Sequence, residues 1–408
     1  MPKYKNWLIA TQYYYPERGA AQVRLRAFAQ ELKKAGCNVK VLTGMPNYPE
    51  GILQNGFKGK FTMNDTVDGI PVKRLWLYPA AGRNIIKRLF NYFTFTFHAL
   101  FHLRAARKVD IIFIESQPVF LSYYGLFAKW LYKKPYIYNT PDLQVEQSGE
   151  RGWMLGNIVK LARRMEKQLM MNSLSVSTVT HAFIEHFIKE LNIPREKMSF
   201  LPNGVDLDFM HPLPYDAGYA KRIGIEGKKV FTFAGTIAYN HGADVILEAA
   251  KLTKEHNDIV YLIAGSGAER ATLTEKAKKE EINNVVFTDL PFIDVPTVMS
   301  ITYAALVTVR DMDVAKKIRS AKTFPALACG VPVIYSGEGE SADIVVQNGC
   351  GVQTAPGDGA DLARAVLELA ANPVLREQFS KAGIALTERE FSWKVITENW
   401  LKEVEAIS

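Results

Sequence analysis

The stretch QYYYPERGAAQVRLRAFAQEL, residues 12–32, carries little side chain at its centre and a helical pattern behind it. Ahead of it, Trp7 to Gln12 form an apolar run of strand length. Beyond the turn, Val23, Leu25, Phe28, Ala29 and Leu32 recur at roughly helical spacing, and Gly36 supplies the stop. The segment therefore reads as one βα unit joined through small residues. A bare turn at a helix N-terminus presents unpaired N–H groups and the positive end of the dipole, which suits an anion. The turn could equally be small for packing alone, since no G-x-G-x-x-G fingerprint is present.

The same pattern repeats outward. Short apolar runs alternate with helical patterns: WLIAT, VKVLT, IIFIE, YIYN, LSVST and SFLPN, then VFTFAG, VYLIAG, VVFTD, ALVTV, VPVIY and GVQTA. Such alternation marks parallel α/β architecture. Between the two sets, LPNGVDLDFMHPLP (201–214) holds Asn203-Gly204 and three prolines, a loop and linker. Two doubly wound, Rossmann-like domains are expected, residues 1–205 and 206–390, with binding at the carboxyl ends of the strands and in a central cleft. A chain of 408 residues with 48% hydrophobic content is long enough for two such cores.

The net charge of +8 conceals a division: residues 1–205 carry 29 Lys and Arg against 14 Asp and Glu, residues 206–408 carry 21 against 28. One basic half suggests an anionic surface as partner, and no nucleic-acid fold signature accompanies it. Three scattered cysteines, Cys37, Cys329 and Cys350, argue against a disulfide framework or zinc site and for a reducing cytosol. No signal-peptide pattern opens the chain.

The segment RNIIKRLFNYFTFTFHALFHLRAARK (83–108) has a core, Leu89 to Phe101, that is too short and too polar to span a bilayer. It is rich in phenylalanine and flanked by Arg83, Lys87, Arg88, Arg104, Arg107 and Lys108. That composition suits a helix lying in a membrane interface, with Phe95 and Phe97 among its contacts. The competing reading is a core helix with solvated basic ends.

Taken in order, the opening QYYYPERGAAQVRLRAFAQELKKAGCNVKVLTGMPNYPEG, then LPNGVDLDFM, FAGTIAYNHGADVILEAAKL, YLIAGSGAERATL, NVVFTDLPF, FPALACGVPVIYSGEGESADIVVQNGCGVQTAPGD and FSWKVITENWL resemble glycosyltransferase family 4 of the GT-B fold. The resemblance covers essentially the whole chain and is nearest to the bacterial branch that builds O-antigens, capsules and exopolysaccharides. It implies an N-terminal acceptor-binding domain, a C-terminal nucleotide-sugar-binding domain and a last helix (391–408) returning to the first. It further implies transfer, with retention, from a nucleotide-diphosphate sugar to a lipid-linked glycan, with no metal or other cofactor. The protein would act in the cytoplasm, peripheral on the inner face of the cell membrane.

Residue by residue, the resemblance places Gly19 and Ala20 over the donor diphosphate, with Arg18 or Arg24 adding charge. Lys322, in RSAKTFPALACG, matches the family's phosphate-binding lysine, with Arg319 and Lys316 nearby. Gly235 lies in FAGTIAYNHG, where His241 stands as substitute for a second family cation. Asp142 and Glu115 close two strands on the side where a cleft is expected, as orienting or catalytic carboxylates. The pattern departs at the family's glutamate pair, where Lys317 and Pro325 stand instead. Glu340 and Asp343, in GEGESADIV, are possible replacements for the ribose ligand, or simply complement a helix dipole. Two rival functions follow: a non-catalytic paralogue that binds a partner, for which the lost pair speaks, and a nucleotide-sugar 2-epimerase.

Overall fold

A computed structural model describes residues 2–17, 19–82, 84–143 and 156–407. It divides into two compact units, Met1–Pro202 with Ile396–Ser408, and Asn203–Val395.

The first unit is built on eight strands: β1 (Asn6–Ala10), β2 (Asn38–Gly44), β3 (Thr62–Val67), β4 (Ile70–Leu75), β5 (Ile111–Glu115), β6 (Tyr136–Thr140), β7 (Ser175–Thr178) and β8 (Met198–Phe200). Their order is β3-β4-β2-β1-β5-β6-β7-β8. Every pairing is parallel except β3 with β4. That hairpin is absent from the strands read off the apolar runs. Its turn is Asp68-Gly69, with φ of 52° and 69°, the residue pair a two-residue hairpin with positive φ at both positions requires.

Strand order reverses at β1, which lies between β2 and β5, so the loop after β1 occupies the switch point where doubly wound sheets bind ligands. Helix α1 (Ala20–Lys34) follows that loop. Helix α2 (Ile85–Phe101) is capped by Asn84, whose side chain accepts from the N–H groups of Ile86 and Lys87. It buries Asn91, Phe95 and Ala99, and presents Ile86, Phe90, Phe93, Phe97 and Phe101 to solvent, Phe101 at 70% exposure. Phe95 therefore belongs to the core and not to a surface contact. Residues two apart on a helix face nearly opposite ways, so Phe95 and Phe97 could not share one. No helix among the described residues is long and apolar enough to cross a membrane.

The second unit carries β9 (Lys229–Ala234), β10 (Ile259–Ala264), β11 (Val285–Thr288), β12 (Ala304–Thr308), β13 (Val333–Ser336) and β14 (Gly351–Thr354), all paired in parallel in the order β11-β10-β9-β12-β13-β14. Here the switch point falls at β9. Helices α3 (Thr323–Ala328) and α4 (Glu340–Gln347) follow β12 and β13. The last helix, α5 (Trp393–Ile407), supplies Trp400 to the first unit's core. Its indole lies 5.1–5.8 Å, centroid to centroid, from Phe28, Phe113 and Trp7, and its Nε1–H donates to Ser177 Oγ at 2.9 Å.

Candidate active site

In the first unit, Gly19 is the N-cap of α1, with no side-chain cap and no acidic residue in the first turn. Its φ of −144° is extended backbone open to any residue. What glycine contributes is room: a Cβ there would meet the Gln22 amide and come within 3.3 Å of the Tyr48 ring. Ala20 opens the helix behind it, whereas Arg18 lies outside the described residues.

Arg24 is buried against a carboxylate. Its Nη2 donates to both oxygens of Glu115 at 2.7 Å, and Asn139 Nδ2 donates to Glu115 Oε2 at 2.7 Å. Glu115 is 1% exposed. Burial pushes its carboxyl pKa up, while Arg24 and Asn139 pull it down. This corrects the expectation of a strand-end carboxylate facing substrate: Glu115 ties α1 to the ends of β5 and β6. Asp142 is half-buried. Its main-chain oxygen accepts from Thr140 Oγ1 and its Oδ1 from the Leu143 N–H, each at 2.9 Å.

Sequence reasoning passed over Glu17, which is 3% exposed. Its Oε1 accepts from the N–H groups of Asn47 at 2.7 Å and Tyr48 at 2.8 Å, and its Oε2 from that of Tyr14 at 3.3 Å. Burial pushes this carboxyl up to about 7 against those hydrogen bonds. The available signal was an acid two residues before Gly19, in a loop otherwise suited to anions.

In the second unit, the loop after β9 meets the loop after β10. Gly235 has φ of +133°, and a Cβ on it would lie 2.9 Å from Lys322 Cε. Glycine is thus needed twice over, for the backbone and for the lysine that crosses it. Lys322 precedes α3, half-buried, with Nζ 5.0 Å from the Phe233 ring centroid. Among the described residues no carboxylate pairs with it, and burial alone lowers its pKa to about 8. His241 Nδ1–H donates to the Thr236 carbonyl at 2.6 Å. Burial and the nearby Lys322 ammonium lower its pKa. His241 is accordingly a neutral imidazole beside a cation, not the second cation expected.

Arg319 is also committed elsewhere. Its Nη2 pairs with Glu340 Oε1 at 2.6 Å, and its guanidinium lies 5.6 Å from the Phe391 ring centroid. That pair orients Glu340. Glu340, first residue of α4, keeps a second oxygen, Oε2, with no partner among the described residues. Asp343 is exposed one turn on. Lys316 pairs with Glu338 at 2.8 Å and Asp311 at 3.4 Å. Pro325 sits in the first turn of α3, where its missing N–H costs the helix nothing. Among the described residues no three His, Cys, Asp or Glu side chains gather as metal ligands.

Comparison with known proteins agrees with this architecture. Residues 19–204 match the glycosyl transferase 4-like domain, and residues 219–385 match glycosyl transferases group 1. Over 219 residues the chain is 26% identical to a 2-deoxystreptamine glucosyltransferase of Streptomyces kanamyceticus, spanning 52% of this chain and only 55% of that protein. Over 398 residues it is 21% identical to an uncharacterized glycosyltransferase of Methanocaldococcus jannaschii, spanning 94% of both. Among solved structures, Anabaena HepE in complex with UDP and glucose superposes with a TM-score of 0.70 at 17% identity, covering 98% of this chain and 99% of that one. With a 4-like domain followed by a group 1 domain, each on its own doubly wound sheet, the chain belongs to the glycosyltransferases of the GT-B fold.

Proposed function

We propose that the protein transfers a sugar, with retention and without a metal, from a nucleoside-diphosphate sugar to a lipid-linked glycan in cell-surface polysaccharide synthesis. The observation that carries this is Lys322, a half-buried ammonium with no carboxylate partner among the described residues, beside Gly235 and His241 at the switch point of the group 1 domain. As the bond from sugar to phosphate lengthens, negative charge grows on the leaving diphosphate. A fixed cation there stabilises the transition state more than the ground state. Arriving phosphate would raise the pKa of both Lys322 and His241, so the imidazole could add a proton once the donor is bound. The N-terminus of α1, kept open by Gly19, is a further group of N–H donors suited to phosphate. Glu340 Oε2, held by the Arg319 pair, is the proposed acceptor for ribose hydroxyls, and Asp142 the orienting carboxylate for sugar hydroxyls.

The membrane part of the reading rests on α2. Phe93, Phe97 and Phe101 form one exposed aromatic row, with adjacent ring centroids 6.0 and 4.9 Å apart. Lys87, Arg88, Arg104, Arg107 and Lys108 are exposed around it. An aromatic face framed by cations fits the interface of an anionic bilayer on the cytoplasmic side.

A non-catalytic binding role is the second reading, favoured by Lys317 and Pro325 at the family's glutamate positions. The deciding experiment incubates the protein with UDP-, GDP- and dTDP-sugars and measures both nucleotide-induced thermal stabilisation and nucleoside-diphosphate release. Release above the uncatalysed rate supports the enzyme. Stabilisation without release from any donor supports the binding role.

A further inference from the structure

We infer that Glu17 is a positioning residue that locks two loops of the 4-like domain together and so sets the conformation in which Gly19 and α1 receive the donor diphosphate. The inference rests on the transferase reading above and goes beyond it, since it assigns a role to a carboxylate that binds no substrate.

The argument is geometric. β1 and β2 are neighbours, and the loop residues that follow them, 11–17 and 45–51, leave the sheet side by side. One carboxylate joins them: Oε1 takes the N–H groups of Asn47 and Tyr48, while Oε2 takes that of Tyr14. The consequence reaches Gly19, because the Tyr48 ring borders the space above its Cα, and Tyr48 packs edge-on to Tyr13 at 5.6 Å. A side chain that fixes Tyr48 thereby fixes how much of the α1 N-terminus stays open. The groups facing Glu17 are few. Arg74 of β4 donates to the Tyr15 carbonyl at 2.7 Å and draws the carboxyl pKa down, and the Tyr13 phenol lies on the same loop.

The ionised carboxylate can hold all three N–H groups at once. Protonation on Oε2 loses the bond to Tyr14 and leaves the two bonds on Oε1. Glu17→Gln reproduces that protonated state, with its amide oxygen in the Oε1 position, whereas Glu17→Ala removes both acceptors and all three bonds. Since the carboxyl titrates near pH 7, the lock should be complete above that pH and looser below it.

The test uses the full chain in three forms, wild type, Glu17→Gln and Glu17→Ala, with two readouts. Amide hydrogen exchange needs no activity. In Glu17→Ala it should rise at least tenfold in residues 13–17 and 45–51 together, with the rest of the sheet unchanged. Unchanged exchange in 45–51 overturns the lock, whether or not the protein proves to be a transferase. With a donor that the wild type turns over, kcat/KM should fall on the acid side of pH 7, and that limb should vanish in Glu17→Gln at a lower, flat level. An identical acid limb in Glu17→Gln assigns the ionisation elsewhere and overturns the positioning role. Absence of turnover in wild type, alongside the expected exchange result, counts against the transferase reading and leaves the lock standing.

Discussion

Replacing Lys322 with methionine should make the protein more stable and nearly inactive, two effects of opposite sign from one charge. The ammonium has its pKa lowered from 10.5 to about 8 by burial. For a group whose folded-state pKa is depressed, the stabilising contribution is complete above the unfolded pKa and is lost as pH falls through the folded one. At pH 7 the charged Lys322 is therefore a net cost to folding. One pKa unit corresponds to about 1.4 kcal/mol, which sets a ceiling of about 3 kcal/mol. Residual solvent at a half-buried side chain brings the expected gain to roughly 1 kcal/mol. Methionine preserves the unbranched stem that crosses Gly235 and removes only the charge. Thermal denaturation at pH 7 should then show a Tm higher by about 2–4 °C, and the difference should disappear near pH 10.5, where wild type is neutral as well. Catalysis should move the other way. A cation removed from a developing phosphate charge costs about 2–4 kcal/mol, or roughly 30- to 1,000-fold in kcat/KM. The wild-type kcat/KM should itself decline above pH 8 as Lys322 loses its proton. A Lys322→Met protein with near-normal turnover, or one destabilised at pH 7, would refute the reasoning, because either result means that this ammonium is not a strained, phosphate-directed charge.

Glu340→Gln should raise the donor KM several-fold with a smaller change in kcat, the pattern of lost ground-state binding; a fall in kcat alone would remove Glu340 from the ribose site. Wild type should co-sediment with vesicles containing phosphatidylglycerol, less so as salt rises. Phe93→Ser with Phe97→Ser should abolish that binding while circular dichroism and Tm stay unchanged, because both rings are already exposed. Trp400→Ala should destabilise the first unit by about 3–5 kcal/mol in chemical denaturation, since it leaves a cavity among three aromatic rings and removes one hydrogen bond from the Ser177 hydroxyl. A loss below about 1 kcal/mol would mean that α5 contributes little to that core.

Much of the architecture was legible because it depends on local patterns. Twelve apolar runs predicted strands, and each overlaps a strand of the structure, SFLPN by only Ser199 and Phe200. The β3–β4 hairpin escaped because β3, Thr62–Val67, is mostly polar and never forms an apolar run, although Asp68-Gly69 marked its turn. Within the candidate site, Gly19, Gly235 and Lys322 were singled out from motif position, and the structure puts Gly19 at a helix N-cap and Lys322 across Gly235. Arg24 and Arg319, read as cations for phosphate, pair with Glu115 and Glu340; Glu115, read as a strand-end carboxylate, is buried; and His241, read as a cation, has its pKa lowered.

The reason lies in what a sequence can carry. Backbone periodicity and turn chemistry are local, so residues 7–36 could announce a βα unit by themselves, and the motif order could announce the fold. Whether a charged group faces solvent or another charge is decided between residues far apart in the chain. Arg24 and Glu115 are 91 positions apart, yet bond at 2.7 Å; Glu17 reaches Asn47 across 30 positions. The residue types determined which chemistry was possible. Only the packing of strand ends against helix N-termini decided that Arg24 would pair with Glu115, that Glu17 would be buried near its titration point, and that Lys322 would meet no carboxylate among the described residues, because burial and pairing belong to the three-dimensional neighbourhood and not to the segment.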